Sequence, residues 1–203
     1  MPPSTLCKLF IDGPAGKLET VIDDPAEARR GIALIAHPHP LFGGTLDNKV
    51  VQTLAKTFVK LGYVALRPNF RGAGKSAGAF DEGHGEIEDM LAVAGFARHK
   101  FGNLPFLLAG FSFGAFVQSR VMTRLPAEKL VLIAPAVGCF DVGAVPANTL
   151  VVHGEEDDVV PLASVLDWAR PQQLPIVLLP GTGHFFHGRL TQLKQIVLDA
   201  CKS

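Results

Sequence analysis

A serine framed by glycines is the residue of this chain with the clearest potential for chemistry. Ser112 lies at the centre of Gly110-Phe111-Ser112-Phe113-Gly114, a Gly-x-Ser-x-Gly pattern. A serine on a sharp bend between a strand and a helix takes a strained backbone conformation, so the positions two before and two after it must carry no side chain. The bend exposes the hydroxyl, and the unpaired N–H groups of the following helix face any negative charge that develops there. The pattern therefore predicts a nucleophilic serine that forms a covalent intermediate.

The elements that must position Ser112 are predicted by the residues on either side of it. Phe106 to Ala109 is a continuous apolar run, as expected of a buried strand. From Ala115 to Leu125, apolar residues recur at the spacing of a helix. A strand, a bend and a helix in this order are the context that the serine motif requires.

The rest of the chain alternates strand-like and helix-like segments, without a linker or an internal repeat. Unbroken apolar runs have no polar face and predict strands that are covered on both sides. Strands that alternate with helices predict a doubly wound, mostly parallel sheet, here preceded by an antiparallel hairpin. We expect one α/β domain over residues 1–203. The predicted strands are Leu6–Ile11, Lys17–Ile22, Ile32–Ala36, Tyr63–Leu66, Phe106–Phe111, Leu130–Ala134, Leu150–Val152 and Ile176–Leu179, and the predicted helices are Val50–Leu61, Ile87–Phe101, Ala115–Leu125 and Arg189–Cys201.

The residues just after the apolar runs carry the information about function, because ligands of such sheets bind beyond the carboxyl ends of the strands. The distinctive stretches are His37-Pro38-His39-Pro40-Leu41-Phe42-Gly43-Gly44, Asn69-Phe70-Arg71-Gly72-Ala73-Gly74-Lys75-Ser76, His153-Gly154-Glu155-Glu156-Asp157-Asp158-Val159-Val160-Pro161 and Pro180-Gly181-Thr182-Gly183-His184-Phe185-Phe186. With the serine motif, this ordered set resembles the α/β-hydrolase superfamily, and within it the small, lidless, dienelactone-hydrolase-like bacterial proteins. The resemblance covers nearly the whole chain. It implies the α/β-hydrolase fold and a triad of serine, aspartate and histidine, but no particular substrate.

The resemblance also selects the partners of Ser112. A serine hydroxyl becomes a nucleophile when an imidazole takes its proton, and the imidazole needs a carboxylate to orient it. The family motif matches His184 as the base and Asp157 as the acid, with Asp158 as the alternative acid. The remaining candidates downstream of the serine are His153, which we expect to be structural, His187, which we expect at the surface, Asp141, Glu155 and Glu156.

An oxyanion intermediate needs two backbone N–H groups directed at the same oxygen. Phe113, the residue after the nucleophile, is expected to supply one. The second should come from the loop after the third predicted strand, where Pro38 and Pro40 have no N–H. His39 is therefore the predicted donor, with Leu41 as the alternative. The His-Gly-x pattern of the family also falls on His39, although Pro38 replaces its glycine.

Two other motifs suggest different chemistry. His37 and His39 form a His-x-His pair that could bind a metal ion, but no third ligand lies near them in sequence. Gly74-Lys75-Ser76 is similar to the end of a phosphate-binding loop, but the first glycine of that motif would stand at position 69, where the chain has asparagine. We therefore expect no metal, no nucleotide and no other cofactor.

Arg71 stands at the carboxyl end of a predicted strand, where a cation could bind the carboxylate of a substrate. We expect it instead to be structural and to pair with an acid such as Glu86 or Asp89.

Composition excludes several classes of protein. Hydrophobic residues make up 48% of the chain and charged residues 19%, which is typical of a globular protein and not of a disordered one. The 19 basic residues balance the 19 acidic ones, so no excess of charge attracts nucleic acid or an anionic membrane. No apolar run approaches the ~18 residues of a membrane span, and the N-terminus lacks the pattern of a signal peptide. Cys7, Cys139 and Cys201 are widely spaced, which favours free thiols and a cytoplasmic location.

Together these features predict a serine hydrolase that cleaves a carboxylic ester or a related acyl bond of a small soluble substrate. Larger members of the fold carry a lid where this chain has only Pro135 to Asn148, so we expect an open site. Leu41, Phe42, Phe111, Phe113 and Phe185 could supply its apolar wall, with the alternative that the phenylalanines belong to the core, as most in such positions do. Two alternatives remain: an acyltransferase that passes the same acyl group to an alcohol or amine, and a non-catalytic protein that binds a ligand in the same cleft.

Overall fold

The residues described by this computed structural model, 5–26 and 29–202, form eight strands and five α-helices. The strands are β1 (Thr5–Gly13), β2 (Gly16–Asp24), β3 (Gly31–Ala36), β4 (Tyr63–Pro68), β5 (Phe106–Phe111), β6 (Lys129–Ile133), β7 (Leu150–Gly154) and β8 (Ile176–Leu179). They form one sheet in the order β1-β2-β4-β3-β5-β6-β7-β8. β2 pairs antiparallel with both β1 and β4, and the other neighbours are parallel. The predicted hairpin and mostly parallel sheet are confirmed.

The middle of the sheet is covered on both faces. Every residue of β3, β4 and β5 is buried. Successive side chains of β3 alternate between two apolar cores, with Ile32 and Leu34 in one and Ala33 and Ile35 in the other. The unbroken apolar runs of the sequence are therefore strands with helices on both sides, as expected of a parallel sheet.

The helices divide between the two faces of the sheet. They are α1 (Lys49–Lys60), α2 (His84–Phe101), α3 (Phe113–Val121), α4 (Leu162–Ala169) and α5 (Leu190–Ala200). The apolar sides of α1 and α5 pack in one core, and those of α2, α3 and α4 pack in the other. This arrangement confirms the doubly wound architecture.

Three helix predictions need correction. α4 was not predicted, although its apolar residues Leu162, Val165, Leu166 and Ala169 recur at helical spacing and Val165 and Ala169 are buried. α2 begins at His84, three residues before the predicted start, where the side chain of Glu86 caps the helix. α3 ends at Val121. The prediction extended to Leu125 because that residue is apolar; Leu125 is buried, but it lies in a bend after the helix.

The connection between β6 and β7 leaves the carboxyl edge of the sheet open. Within the described part of the chain, residues 135–148 contain no helix or strand, only a bridge between Val137 and Phe140. This confirms that no cap domain is inserted there.

Other expectations concern the termini, the cysteines and membrane spans. Residues 1–4, on which the expectation about a signal peptide rests, lie outside the described residues. Cys7 and Cys139 are exposed free thiols, and Cys201 is a buried one. None of the helices in the described ranges is long and apolar enough to cross a membrane.

Candidate active site

Ser112 occupies a sharp bend between β5 and α3. Its backbone angles are φ 55° and ψ −117°. A positive φ is unfavourable for a residue with a side chain, and such strain is common where a functional side chain must be held in place. β5 ends at Phe111 and α3 begins at Phe113, so the bend consists of the serine itself.

The glycines of the motif are required by close packing of backbone. A Cβ atom on Gly110 would lie 2.2 Å from the carbonyl oxygen of Gly114, and one on Gly114 would lie 2.3 Å from the carbonyl oxygen of Ala36. Both distances are far below van der Waals contact. The two glycines thus let α3 start directly against β5 and the end of β3, as the sequence predicted.

His184 and Asp157 form a buried hydrogen-bonded pair. Nδ1 of His184 lies 2.7 Å from Oδ2 of Asp157, and the two side chains are 3% and 0% exposed. Asp157 lies on the loop after β7 and His184 on the loop after β8. Asp158, the alternative acid, is exposed. The structure therefore brings Asp157, and not its neighbour, to the histidine.

The carboxylate of Asp157 is held by its own loop as well as by the histidine. Its Oδ1 accepts hydrogen bonds from the N–H groups of Val159, at 2.9 Å, and Val160, at 2.7 Å. Burial by itself would raise the pKa of Asp157, but the hydrogen bonds from His184 and Val160 outweigh it and lower the pKa. The carboxylate is therefore ionised at neutral pH.

Aromatic side chains connect the histidine to the serine bend. The ring of Phe111, next to Ser112 in the chain, lies 5.0 Å from the ring of His184, and that of Phe185 lies 5.1 Å from it.

Ser112 follows β5, which neighbours β6 in the sheet, while His184 follows β8 at its edge. Both residues thus lie at the carboxyl edge of the sheet, as expected for a site of this fold.

His153 and His187 take different places. His187 is exposed, as predicted. His153 is buried, its Nε2 lies 2.9 Å from the carbonyl oxygen of Val160, and the same nitrogen is 3.6 Å from Oδ2 of Asp157. Its Nδ1 has no hydrogen-bond partner among the described residues. The contact with Asp157 was not foreseen, although a histidine four positions before the acid was a possible signal.

The proposed oxyanion donors lie on two neighbouring elements. Phe113 is the first residue of α3, so its N–H has no acceptor one turn earlier in the helix. His39 precedes a short 3₁₀ helix, Pro40–Phe42, and its ring lies 5.1 Å from the ring of Phe113. Leu41, the alternative donor, gives its N–H to Nδ1 of His39 at 3.2 Å. That bond favours His39 as the second donor.

The neighbouring His37 is buried and uses both ring nitrogens. Nδ1 lies 2.7 Å from the carbonyl oxygen of Pro38, and Nε2 accepts the N–H of Phe70 at 3.0 Å. These bonds leave no lone pair of His37 for a metal ion. The His-x-His pair is therefore not arranged as a metal site.

The loop that is similar to a phosphate-binding loop is occupied by a carboxylate of the chain. Oε2 of Glu19 accepts the N–H of Lys75 at 2.9 Å and the side-chain amide of Asn69 at 2.8 Å. An anion is already bound in the turn, so a phosphate would meet a like charge.

Arg71 is structural in the way predicted, with one correction. Its guanidinium donates to both carboxylate oxygens of Asp89, at 2.7 and 3.0 Å. The backbone N–H of Arg71 also donates to that carboxylate. Glu86, the other expected partner, accepts instead the N–H groups of Asp81 and Gly83. It caps α2 and does not bond to the arginine.

The apolar lining expected of the site is divided between rim and core. Leu41 and Phe42 are 68% and 86% exposed, and Phe185 is 46% exposed. Phe111 and Phe113 are buried in the core, the alternative considered for phenylalanines in such positions, and do not form a wall of the cleft. The ring of Phe113 packs under the half-buried rings of His39, Phe80 and Phe140.

The chain is similar to a family model and to a known protein. A family model described as serine aminopeptidase, S33 (Hydrolase_4) matches residues 41–142. The uncharacterized protein RP471 of Rickettsia prowazekii (strain Madrid E) is 31% identical over 207 residues, which cover 95% of this chain and 87% of that protein.

Two solved structures are similar over nearly their full length. XC6422 from Xanthomonas campestris, described as an α/β serine hydrolase without a lid, is 37% identical, with a TM-score of 0.92 and coverage of 98% of this chain and 94% of that one. An α/β serine hydrolase homologue from Coxiella burnetii is 39% identical, with a TM-score of 0.90 and coverage of 96% and 97%.

Proposed function

Because the chain belongs to the Hydrolase_4 family, described as serine aminopeptidase, S33, we propose that this serine hydrolase cleaves a carboxylic ester or a related acyl bond of a small soluble substrate. Ser112 is the nucleophile, His184 the base and Asp157 the acid that orients it. The observation that carries the proposal is the buried bond between Asp157 and His184, on the same edge of the sheet as the strained Ser112 bend. No cofactor takes part in this chemistry.

The first half of the reaction forms an acyl-enzyme. Oγ of Ser112 attacks the carbonyl carbon while Nε2 of His184 takes the hydroxyl proton, and the carbonyl oxygen becomes an oxyanion. Asp157 holds the proton-bearing Nδ1 and stabilises the imidazolium. When the intermediate collapses, the bond to the leaving alcohol breaks, and the alcohol takes the proton from His184.

The second half of the reaction releases the acid. His184 removes a proton from water, which attacks the acyl group on Ser112, and the serine leaves with the proton returned by the histidine. The N–H groups of Phe113 and His39 stabilise the oxyanion in both halves. Loss of one such donor typically lowers kcat by about 10²–10³-fold.

We favour an ester over the terminal amino group that an aminopeptidase must bind. The leaving group differs, but the same triad can cleave both bonds, so the choice depends on how the substrate is held. The exposed rim side chains of Leu41, Phe42 and Phe185 are apolar and suit a neutral acyl group better than a charged amine.

The decisive experiment labels the serine and measures turnover with matched substrates. A fluorophosphonate probe should label wild-type protein at Ser112, and p-nitrophenyl acetate should be hydrolysed faster than leucine p-nitroanilide. Ser112→Ala and His184→Ala should each lower ester turnover by about 10⁴-fold or more without changing the circular dichroism spectrum. Ser164→Ala, on α4, is the control for loss of a serine. A folded Ser112→Ala protein with full turnover would refute the mechanism.

The same assay distinguishes the alternatives. Product analysis with added methanol tests the acyltransferase, which would form a methyl ester in excess of the free acid. A non-catalytic ligand-binding protein would show neither labelling nor turnover. Faster cleavage of the anilide than of the ester would instead identify a peptidase.

A further inference from the structure

We propose that His37 is a positioning residue that sets the direction of the His39 N–H and thereby assembles the oxyanion site. The inference rests on the proposed function, because the direction of that N–H matters only if an oxyanion forms. His37 itself does not touch the reacting atoms in this proposal. It acts through the peptide that joins Pro38 to His39.

The two hydrogen bonds of His37 fix which nitrogen carries the proton. The side chain is fully buried at the end of β3. The backbone N–H of Phe70 points at Nε2 over 3.0 Å, and because an N–H can only donate, Nε2 must be the acceptor. The ring proton is then on Nδ1, which donates to the carbonyl oxygen of Pro38 at 2.7 Å.

Because of the geometry of the peptide, this bond also sets the direction of the His39 N–H. The carbonyl of Pro38 and the N–H of His39 belong to one trans peptide, in which the two groups point in opposite directions. His37 holds the carbonyl toward its own buried ring. The N–H of His39 is therefore directed away from that ring.

The other described contacts of the loop supply no hydrogen-bond donor to the Pro38 carbonyl. A Cβ on Gly44 would lie 2.0 Å from the oxygen of Pro38, so the glycine allows the chain to pass against that carbonyl. The carbonyl of His39 accepts the N–H groups of Phe42 and Gly44, at 3.2 and 3.0 Å. Pro40 has no N–H to offer. The bond from His37 is the described contact that acts on the Pro38 carbonyl as a donor.

Neutrality of His37 keeps the arrangement intact at physiological pH. Burial lowers the pKa of His37 to about 4, against a smaller opposing effect of its bond to Pro38. The ring therefore stays uncharged, and Nε2 can continue to accept the N–H of Phe70. A proton on Nε2 would place a second donor opposite the N–H of Phe70 and break that bond.

A pair of variants separates the two bonds. In His37→Asn the side-chain amide reaches about as far as Nδ1 and can still donate to Pro38, but it cannot reach Phe70. In His37→Gln the amide reaches about as far as Nε2 and can accept from Phe70, but it no longer donates to Pro38. A residue that merely tethers two loops would be sensitive to both changes.

If His37 orients the N–H of His39, the two variants should lower kcat to different extents. With p-nitrophenyl acetate, His37→Gln should lower kcat by at least about 10-fold, toward the about 10²–10³-fold loss expected for a missing oxyanion donor, while KM stays nearly constant. His37→Asn should recover most of the activity. Inhibition by a short-chain trifluoromethyl ketone, whose adduct carries an oxyanion on the serine, should weaken in parallel with kcat. Equal losses in both variants, or a change confined to KM, would overturn the proposal.

A measurement on the wild-type protein keeps the proposal testable if the variants do not fold. Nitrogen-15 NMR of the histidine ring distinguishes the two neutral forms, and His37 should carry its proton on Nδ1 at pH 7. A proton on Nε2 would refute the inference. If wild-type protein shows neither fluorophosphonate labelling nor ester turnover, the proposed function fails; labelling and turnover with equal variants would refute the role of His37 alone.

Discussion

At the scale of single residues, Asp157 is the most constrained group of the site. Its two oxygens serve different partners: Oδ1 holds the turn of Val159 and Val160, and Oδ2 faces the histidines. His153 presents Nε2 at 3.6 Å from Oδ2, the same oxygen that His184 contacts at 2.7 Å. In the proposed mechanism the carboxylate thus orients the base and holds its own loop at the same time.

Replacing Asp157 should therefore abolish most activity while the fold survives. In Asp157→Asn the amide oxygen can still accept from Val160, but the uncharged group no longer holds the His184 tautomer, and kcat on p-nitrophenyl acetate should fall by about 10³–10⁴-fold. Asp158→Asn, one position along and exposed, is the matched control and should change kcat little. If Asp158→Asn were instead the inactive variant, the assignment of the acid would be wrong.

Buried His37 should make folding stability depend on pH. Burial lowers its pKa in the folded protein from 6.5 to about 4, so between these values the unfolded chain binds a proton that the folded chain does not. Stability is then highest above the unfolded pKa and decreases as the pH falls toward 4, by about 3 kcal/mol if His37 acts alone.

Urea unfolding across this pH window tests the prediction. The free energy of unfolding of wild-type protein should fall on acidification, and the slope should be shallower in His37→Asn. His187→Gln, at an exposed position, is the control for the loss of a histidine. Identical slopes for wild type and His37→Asn would contradict the burial argument.

At the scale of elements, the start of α2 depends on a buried side chain. Oε1 of Glu86 accepts the N–H of Asp81 at 2.9 Å, and Oε2 accepts the N–H of Gly83 at 2.8 Å. Glu86→Gln would turn one acceptor into an NH₂ group that faces a donor, which should lower the free energy of unfolding by about 1–3 kcal/mol. Thermal or urea unfolding measures the change, and kcat should stay close to that of wild type.

The same helix offers a matched control for this prediction. Glu88 forms an ion pair with Arg124 at the surface, and such pairs contribute about 0–1 kcal/mol. Glu88→Gln should therefore be nearly neutral. A larger loss from Glu88→Gln than from Glu86→Gln would show that the cap is not what stabilises this end of α2.

Elements were predictable from sequence where burial on two faces leaves a simple pattern. The strands from β3 to β7 and the Gly110 and Gly114 positions follow from apolar runs and from sterics. α4 was missed although its apolar residues recur at helical spacing, because an eight-residue segment shows only about two turns of that pattern. The family motif selected Asp157 over Asp158, but the bond to His184 itself depends on the path of two loops, which apolar periodicity does not encode.

At the scale of the whole molecule, the open edge of the sheet limits the substrate. The described chain has no cap between β6 and β7, and Leu41 and Phe42 stand exposed at the rim. Such a surface can contact a short acyl group but cannot enclose a long one. We therefore expect short, water-soluble esters to be preferred over long-chain lipids.

A series of p-nitrophenyl esters from acetate to palmitate measures this preference. The value of kcat/KM should be highest for the short esters and should fall as the acyl chain lengthens. Rising values with chain length, or a jump in activity when the substrate forms micelles, would contradict the argument from the open site.

The short connection over residues 135–148 also affects the timing of the reaction. Where a lid must open, its motion or the release of product can set the rate. Here substrate and product can exchange with solvent without any segment moving aside. For the proposed reaction we therefore expect the slow step to be a bond-making step at Ser112. Steady-state turnover should then change with the leaving group if acylation is slow, and with the acyl group if deacylation is slow.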